Sequence, residues 1–190
     1  MWAAVFGHDQ RSFSDSQSER TLIDDKDSEK GGVVDWVKLG FQGKSPETDF
    51  RATGTSHFPS LLTPPGLLGL KQLHSFCTTY PVLAYKIVAE SGSNQSLQIT
   101  EPWYPFALVG IHITRSILQD LSAGLLQRKI ILKCKGDVVT SVARICQDLY
   151  DQLLEEFHGY WIGLVEMGVV KDVFAFERVF GEFKNMKGML

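Results

Sequence analysis

The chain has 190 residues, a length suited to one domain whose core needs no disulfide or metal staples. A hydrophobic content of 44%, with 12 Phe and 4 Trp, supplies that core, while a formal charge of −3 argues against a nucleic-acid binder, which would carry a basic footprint. Cys77, Cys134 and Cys146 are widely spaced and form no Cys-x-x-Cys pair, so they are expected as buried thiols in a reducing compartment.

Residues 1–6 have no basic leader and too short an apolar run for a signal peptide, and Trp2 rules out N-myristoylation. Residues 7–32 are rich in Ser, Asp, Gln, Glu and Lys and lack sustained periodicity. The expectation is therefore a disordered leader over 1–32, followed by a single domain over 33–190. Residues 36–51 pack aromatic, glycine, capping and charged residues closely together and read as a fixed loop. Trp36, Leu39, Phe41 and Phe50 are its apolar anchors, and Gly40 and Gly43 allow positive φ. Ser45 followed by Pro46 and Glu47 suits an N-cap, a proline at the first helical position and an acid near the positive end of the dipole, so a short helix is expected there. Asp49 and Arg51 would diverge on a helical turn and share a side in an extended segment, and the spacing does not choose between the two.

Beyond Arg51, prolines 59, 64 and 65 forbid a regular helix and predict an exposed loop over 55–65. From Leu67 the apolar positions Leu70, Leu73, Phe76 and Cys77 keep helical spacing, and Pro81 ends that helix or opens the next, over 82–89. The most hydrophobic segment starts near Pro105, and its apolar repeat continues through Ile117, Leu118, Leu121, Leu125 and Leu126, predicting a central helix. Gly136 and Asp137 break and cap. Val138, Val142, Ile145, Leu149, Leu153 and Phe157 then mark one face of a long amphipathic helix whose other face carries Arg144, Gln147, Asp148, Asp151 and Glu155. Val169, Val173, Phe176, Phe180 and Phe183 repeat the spacing, opposite exposed Lys171, Asp172, Glu177 and Glu182. The aromatic stripe from Phe174 to Phe183 is expected in the core. The fold class is all-α, with no run of alternating strands, and no apolar stretch is long enough to span a bilayer.

The chemistry-bearing motifs are few. Gly43-Lys44-Ser45 lacks the glycine five positions upstream that a phosphate-binding loop needs, since Lys38 stands there. Glu155-x-x-His158 has the spacing used in di-iron bundles but no second copy, so no metal or cofactor is expected. The scattered histidines are better explained as surface groups or satisfied interior ones. Neither a Gly-x-Ser-x-Gly elbow nor a cysteine nucleophile signature is present.

Two ordered motifs carry a resemblance. Trp36, Gly40-Phe41-Gln42, then Pro46-x-Thr48-Asp49-Phe50-Arg51 and Gly66-Leu-Leu-Gly-Leu70, followed by residues 104–114 (Tyr-Pro-Phe-Ala-Leu-Val-Gly-Ile-His-Ile-Thr), resemble the hallmark segments of the ELMO (engulfment and motility) domain, over roughly residues 33–185. Against that family, residues 55–65 are an insertion, Ala52-Thr53 departs from the usual continuation, and the helices usual upstream of the Trp motif have little room. In the ELMO-domain-only branch, the matching arginine is the finger of a GTPase-activating protein for Arf-family GTPases. The resemblance therefore implies Arg51 as the catalytic group, Gln42 and Asp49 as orienting residues, and Trp36, Phe41 and Phe50 as packing supports. The implied partner is a GTP-bound Arf or Arf-like GTPase, met in the cytoplasm or peripherally at a membrane. From the residues alone, the favoured reading of Arg51 is a structural ion pair with Asp49 or another acid that locks the loop, and only the resemblance turns it toward a finger. The other branch implies a non-catalytic adaptor that binds a DOCK-type Rac exchange factor. Its larger members carry repeats, a pleckstrin-type domain and a proline-rich tail, none of which is seen in these residues, which directs the expectation to the first branch.

Overall fold

The computed structural model describes residues 36–41, 65–92, 102–134 and 136–189. Among these are six α-helices, two 3-10 turns and no strand, the all-helical class that the spacing predicts. The helices are α1 (Pro65–Thr79), α2 (Pro81–Glu90), α3 (Phe106–Ser122), α4 (Gln127–Lys133), α5 (Val138–Glu166) and α6 (Phe176–Lys187). The 3-10 turns are Trp36–Leu39 and Val173–Ala175. The predicted leader over 1–32 lies outside the described residues, as do Gln42, Gly43, the Ser45 cap, Asp49, Phe50, Arg51 and most of the 55–65 segment. The last residue of that segment, Pro65, is not loop but the first residue of α1. A proline fits there because its missing N–H would have no helical acceptor. Pro81 opens α2 in the same way.

α3 is the axis of the bundle, flanked by α1 and α5, with α2 against α1 and α6 against α5. Its buried residues, from Phe106 through Ile117 to Asp120, fall on several faces, so neighbours cover it nearly all round. It stops at Ser122, short of the predicted run through Leu125 and Leu126. Gly124 takes φ +79°, and the Leu125 N–H donates to the Asp120 carbonyl at 2.9 Å, closing the helix with a left-handed residue. Leu126 still reaches the core, but Leu125 is exposed.

Asp137 caps α5 as expected, its carboxylate accepting from the Thr140 N–H at 2.7 Å, and that bond lowers the Asp137 pKa. With 29 residues, α5 is about 43 Å long. Leu153 and Phe157 of its predicted apolar face are buried, whereas Val138 is 60% exposed, the first turn being covered on the Ser141 side instead. On its polar face, Arg144, Asp148 and Glu155 are exposed, but Gln147 and Asp151 are half-buried. The Gln147 amide donates to the Gln72 carbonyl of α1 at 3.2 Å and to the Asp151 carboxylate at 2.7 Å. The aromatic stripe is core at Phe176, Phe180 and Phe183 but not at Phe174, which is 76% exposed. The three buried rings all surround Phe157 at centroid distances of 5.3 to 6.3 Å. Among the described residues, no helix is long and apolar enough to cross a membrane.

Candidate functional site

The part of the first hallmark that lies within the described residues is the 3-10 turn Trp36–Leu39 with Gly40 and Phe41. Gly40 closes the turn by donating to the Val37 carbonyl at 2.8 Å, and Phe41 donates to the Trp36 carbonyl at 3.3 Å. The Trp36 and Phe41 rings then meet edge to face, 5.7 Å apart. Leu39, Gly40 and Phe41 are buried and Trp36 half-buried, so the predicted anchors Trp36, Leu39 and Phe41 do anchor the turn.

Gly40 sits on the second hallmark. Its φ is +84°, and a Cβ there would fall 2.5 Å from the Phe106 nitrogen and 2.7 Å from the Pro105 carbonyl carbon. Only a residue without a side chain lets the two main chains approach this closely. Two motifs that stand about sixty residues apart in the sequence are therefore one structural unit at the start of α3.

Tyr104 opens the second hallmark and ties it to two helices. Its N–H donates to the Ser91 carbonyl at the end of α2 (3.0 Å), and its fully buried ring lies edge to face against Phe157 and Trp161 of α5. Its hydroxyl lies 2.8 Å from His158 Nδ1, and His158 Nε2 lies 2.9 Å from Glu90 Oε2. An ionised carboxylate only accepts, so Nε2 carries the proton and donates to Glu90, while Nδ1 accepts from Tyr104. Burial pushes the His158 pKa down, against the raising effect of Glu90, and pushes the Tyr104 phenol well up. The chain is thus a hydrogen-bonded brace with a neutral imidazole at its centre, joining α2, the lead into α3, and α5. His158 is the satisfied interior histidine that the sequence allows, whereas Glu155 is exposed and makes no pair with it.

The brace itself went unread in the sequence, although one signal was available: His158 falls among Leu154, Phe157 and Trp161 on the apolar stripe of α5, where an unpaired imidazole would be costly. A second buried polar set lies deeper, where Thr114 donates to Gln72 Oε1 at 2.8 Å and the Gln72 amide reaches the Cys146 carbonyl at 3.3 Å. Gly110 lies directly on the Tyr150 hydroxyl, a buried group without a hydrogen-bond partner among the described residues. Cys77 and Cys146 are buried free thiols and Cys134 is half-buried. Burial pushes the Cys77 thiol up to about 12, which leaves it unreactive.

Between α3 and α6, a shallow groove is lined by Arg115, Lys184 and Glu177 with His112 beside Phe180. Its charges are of both signs, and around His112 Glu177 opposes the lowering of the imidazole pKa by burial while Arg115 and Lys184 add to it. Of the site residues named from the sequence, the fold brings Trp36 and Phe41 together; Gln42, Asp49, Phe50 and Arg51 lie outside the described residues.

The sequence model of the ELMO/CED-12 family matches residues 1–179. Among curated relatives, ELMO domain-containing protein 1 of Mus musculus is 28% identical over 163 residues, which are 79% of this chain and 44% of the mouse protein. ELMO domain-containing protein 2 of Homo sapiens is 28% identical over 126 residues, 66% of this chain and 36% of the human protein. ELMO domain-containing protein B of Dictyostelium discoideum is 37% identical over 84 residues, 44% of this chain and 23% of that protein. The chain thus spans less than half the length of these relatives. No solved structure matches it. With the match running over nearly the whole chain and both hallmark segments meeting at Gly40 and Pro105, the chain belongs to the ELMO/CED-12 family.

Proposed function

We propose that the chain stimulates GTP hydrolysis by an Arf or Arf-like GTPase, with Arg51 delivered in trans as an arginine finger. The observation that carries this reading is the seated hallmark: Arg51 follows, ten positions on, the Phe41 that is buried beside Gly40 against the start of α3. A finger must be presented from a fixed base, because misplacing a catalytic group by about 1 Å can cost on the order of a hundredfold in rate.

Phosphoryl transfer spreads developing negative charge over the γ-phosphate oxygens and the bridge oxygen. A planar, permanently charged guanidinium donates to two of them together. A finger accelerates hydrolysis by about 10³ to 10⁵, equivalent to roughly 4 to 7 kcal/mol, far above what a surface ion pair supplies. In this reading Gln42 and Asp49 orient the finger or the partner's switch loops, and Trp36, Phe41 and Phe50 hold the base. The complex works in the cytoplasm and meets membranes through its GTPase. Family membership supports the reading, as do relatives named for the ELMO domain itself.

The test is single-turnover GTP hydrolysis by a panel of Arf-family GTPases. Wild type should accelerate at least one by orders of magnitude, and Arg51→Lys, matched for folding, should not. Equal stimulation by Arg51→Lys would remove the finger. Capture of a DOCK-type exchange factor with no GTPase stimulated would replace the reading with a Rac-pathway adaptor.

A further inference from the structure

We propose that the corner formed by α4 and the first turn of α5 is a docking surface for a membrane bearing anionic phospholipid. The inner face of α4 is already used: Leu126 is buried and Ile130 packs on the core. The outer face is apolar all the same, with Ile131 75%, Leu132 73%, Val138 60% and Val139 77% exposed. Scattered aliphatics on a surface are ordinary, but four between positions 131 and 139 form a patch. Exposures this high mean that the side chains protrude rather than line a groove. A protruding aliphatic corner fits a deformable lipid surface better than a protein partner, which needs a complementary cavity of its own.

Charge selects the kind of membrane. Arg128 and Lys133 are exposed beside these aliphatics, while Lys129 is half-buried near Glu156 of α5, and no acidic residue occurs from 121 to 136, in a chain whose formal charge is −3. Of the neighbouring acids, Asp137 is engaged with the Thr140 N–H as the cap of α5, and Glu156 is paired with Lys187 at 2.7 Å. Cations flanking protruding aliphatics are the pattern of an interfacial segment, in which the ammonium and guanidinium groups meet lipid phosphates and the aliphatics enter the headgroup boundary. The patch also sets an orientation. His158, under the hallmark unit, lies twenty positions further along α5 than Val138, about 30 Å along the helix axis, so the hallmark end stands off the bilayer face by up to that distance. This attachment does not depend on Arg51 or on a GTPase.

The test is flotation of the full chain with phosphatidylcholine vesicles, with and without phosphatidylserine. Wild type should float with the phosphatidylserine vesicles at low salt and be released at high salt. Arg128→Gln with Lys133→Gln should weaken that binding about 30-fold, and Ile131→Ser with Leu132→Ser on the order of tenfold or more. Both double variants should keep the helical circular dichroism and melting of wild type, since the replaced side chains are exposed. Absence of binding, equal binding to both vesicle types, or wild-type binding by both variants overturns the proposal. Capture by polyglutamate without vesicle binding also overturns it and assigns the corner to an acidic protein.

Discussion

The two ends of α5 are made of similar residues and have opposite fates. Toward its C-terminus, Phe157, His158 and Trp161 are enclosed by Tyr104, Phe176, Phe180 and Phe183. At its N-terminus, Val138 and Val139 stand in solvent. An apolar stripe is thus a statement about what a helix can bury, and the neighbouring elements decide how much of it is buried. The difference also separates two tasks: the C-terminal half holds the hallmark unit in place, and the N-terminal turn is free to meet something else.

The sharpest way to break this contrast is to truncate one residue at each end. Phe157→Ala removes the ring on which Tyr104, Trp161, Phe176, Phe180 and Phe183 converge and should cost about 3 to 5 kcal/mol in urea unfolding. Val139→Ser, by contrast, should change stability by less than about 0.5 kcal/mol. Equal effects would mean that the exposed turn is packed in solution. Next in size is Gly40→Ala. The left-handed backbone and the collision with Pro105 and Phe106 together should cost roughly 2 to 4 kcal/mol, read in the same unfolding experiment. A neutral result would show that the hallmark turn is not seated on α3.

The smallest effect is that of acid. Burial lowers the His158 and His112 pKa values below the ordinary 6.5. Around His158 the facing charges are Glu90, which opposes the shift, and Lys86, which adds to it; around His112, Glu177 opposes it and Arg115 and Lys184 add to it. An unfolded chain takes up protons near 6.5 that the folded one refuses. The stability these residues lend is therefore complete above that value and is lost as pH falls through their depressed folded values. The melting temperature should be level above about pH 7 and decline below about 6.5, and His158→Gln should flatten the decline. A melting temperature that rises on acidification would contradict the neutral imidazole of the brace.

Much of the bundle could be read from spacing alone, because α1, α2, α3, α5 and α6 each bury a face with a helical repeat. The errors lie where a local signal competed with that repeat. α3 was carried through Leu125 because the leucines kept their spacing, while Gly124, a helix-ending residue, stood between them. α4 was missed because seven residues with three cations give too short and mixed a pattern for periodicity to detect. Val138 and Phe174 kept the phase of buried residues at positions where no described element covers them. At the candidate site, Gly40 could be read as a turn residue, but its landing place at Pro105 could not, since a contact between distant segments leaves no local trace. Arg51 was legible only through resemblance, because an arginine two positions from an aspartate looks the same whether it forms an ion pair or a finger.

The hydrogen-bonded chain at His158 also runs along a gradient of access. Tyr104 at one end is fully enclosed, the imidazole between them is nearly so, and Glu90 at the other end has 43% of its side chain in water. The nitrogen at the wet end, Nε2, carries the proton, so the ring turns its lone pair, on Nδ1, to the enclosed phenol. An acylating reagent, which attacks that lone pair, should therefore consume His158 only as fast as the imidazole leaves Tyr104 or shifts its proton, so the rate reports the opening of the brace.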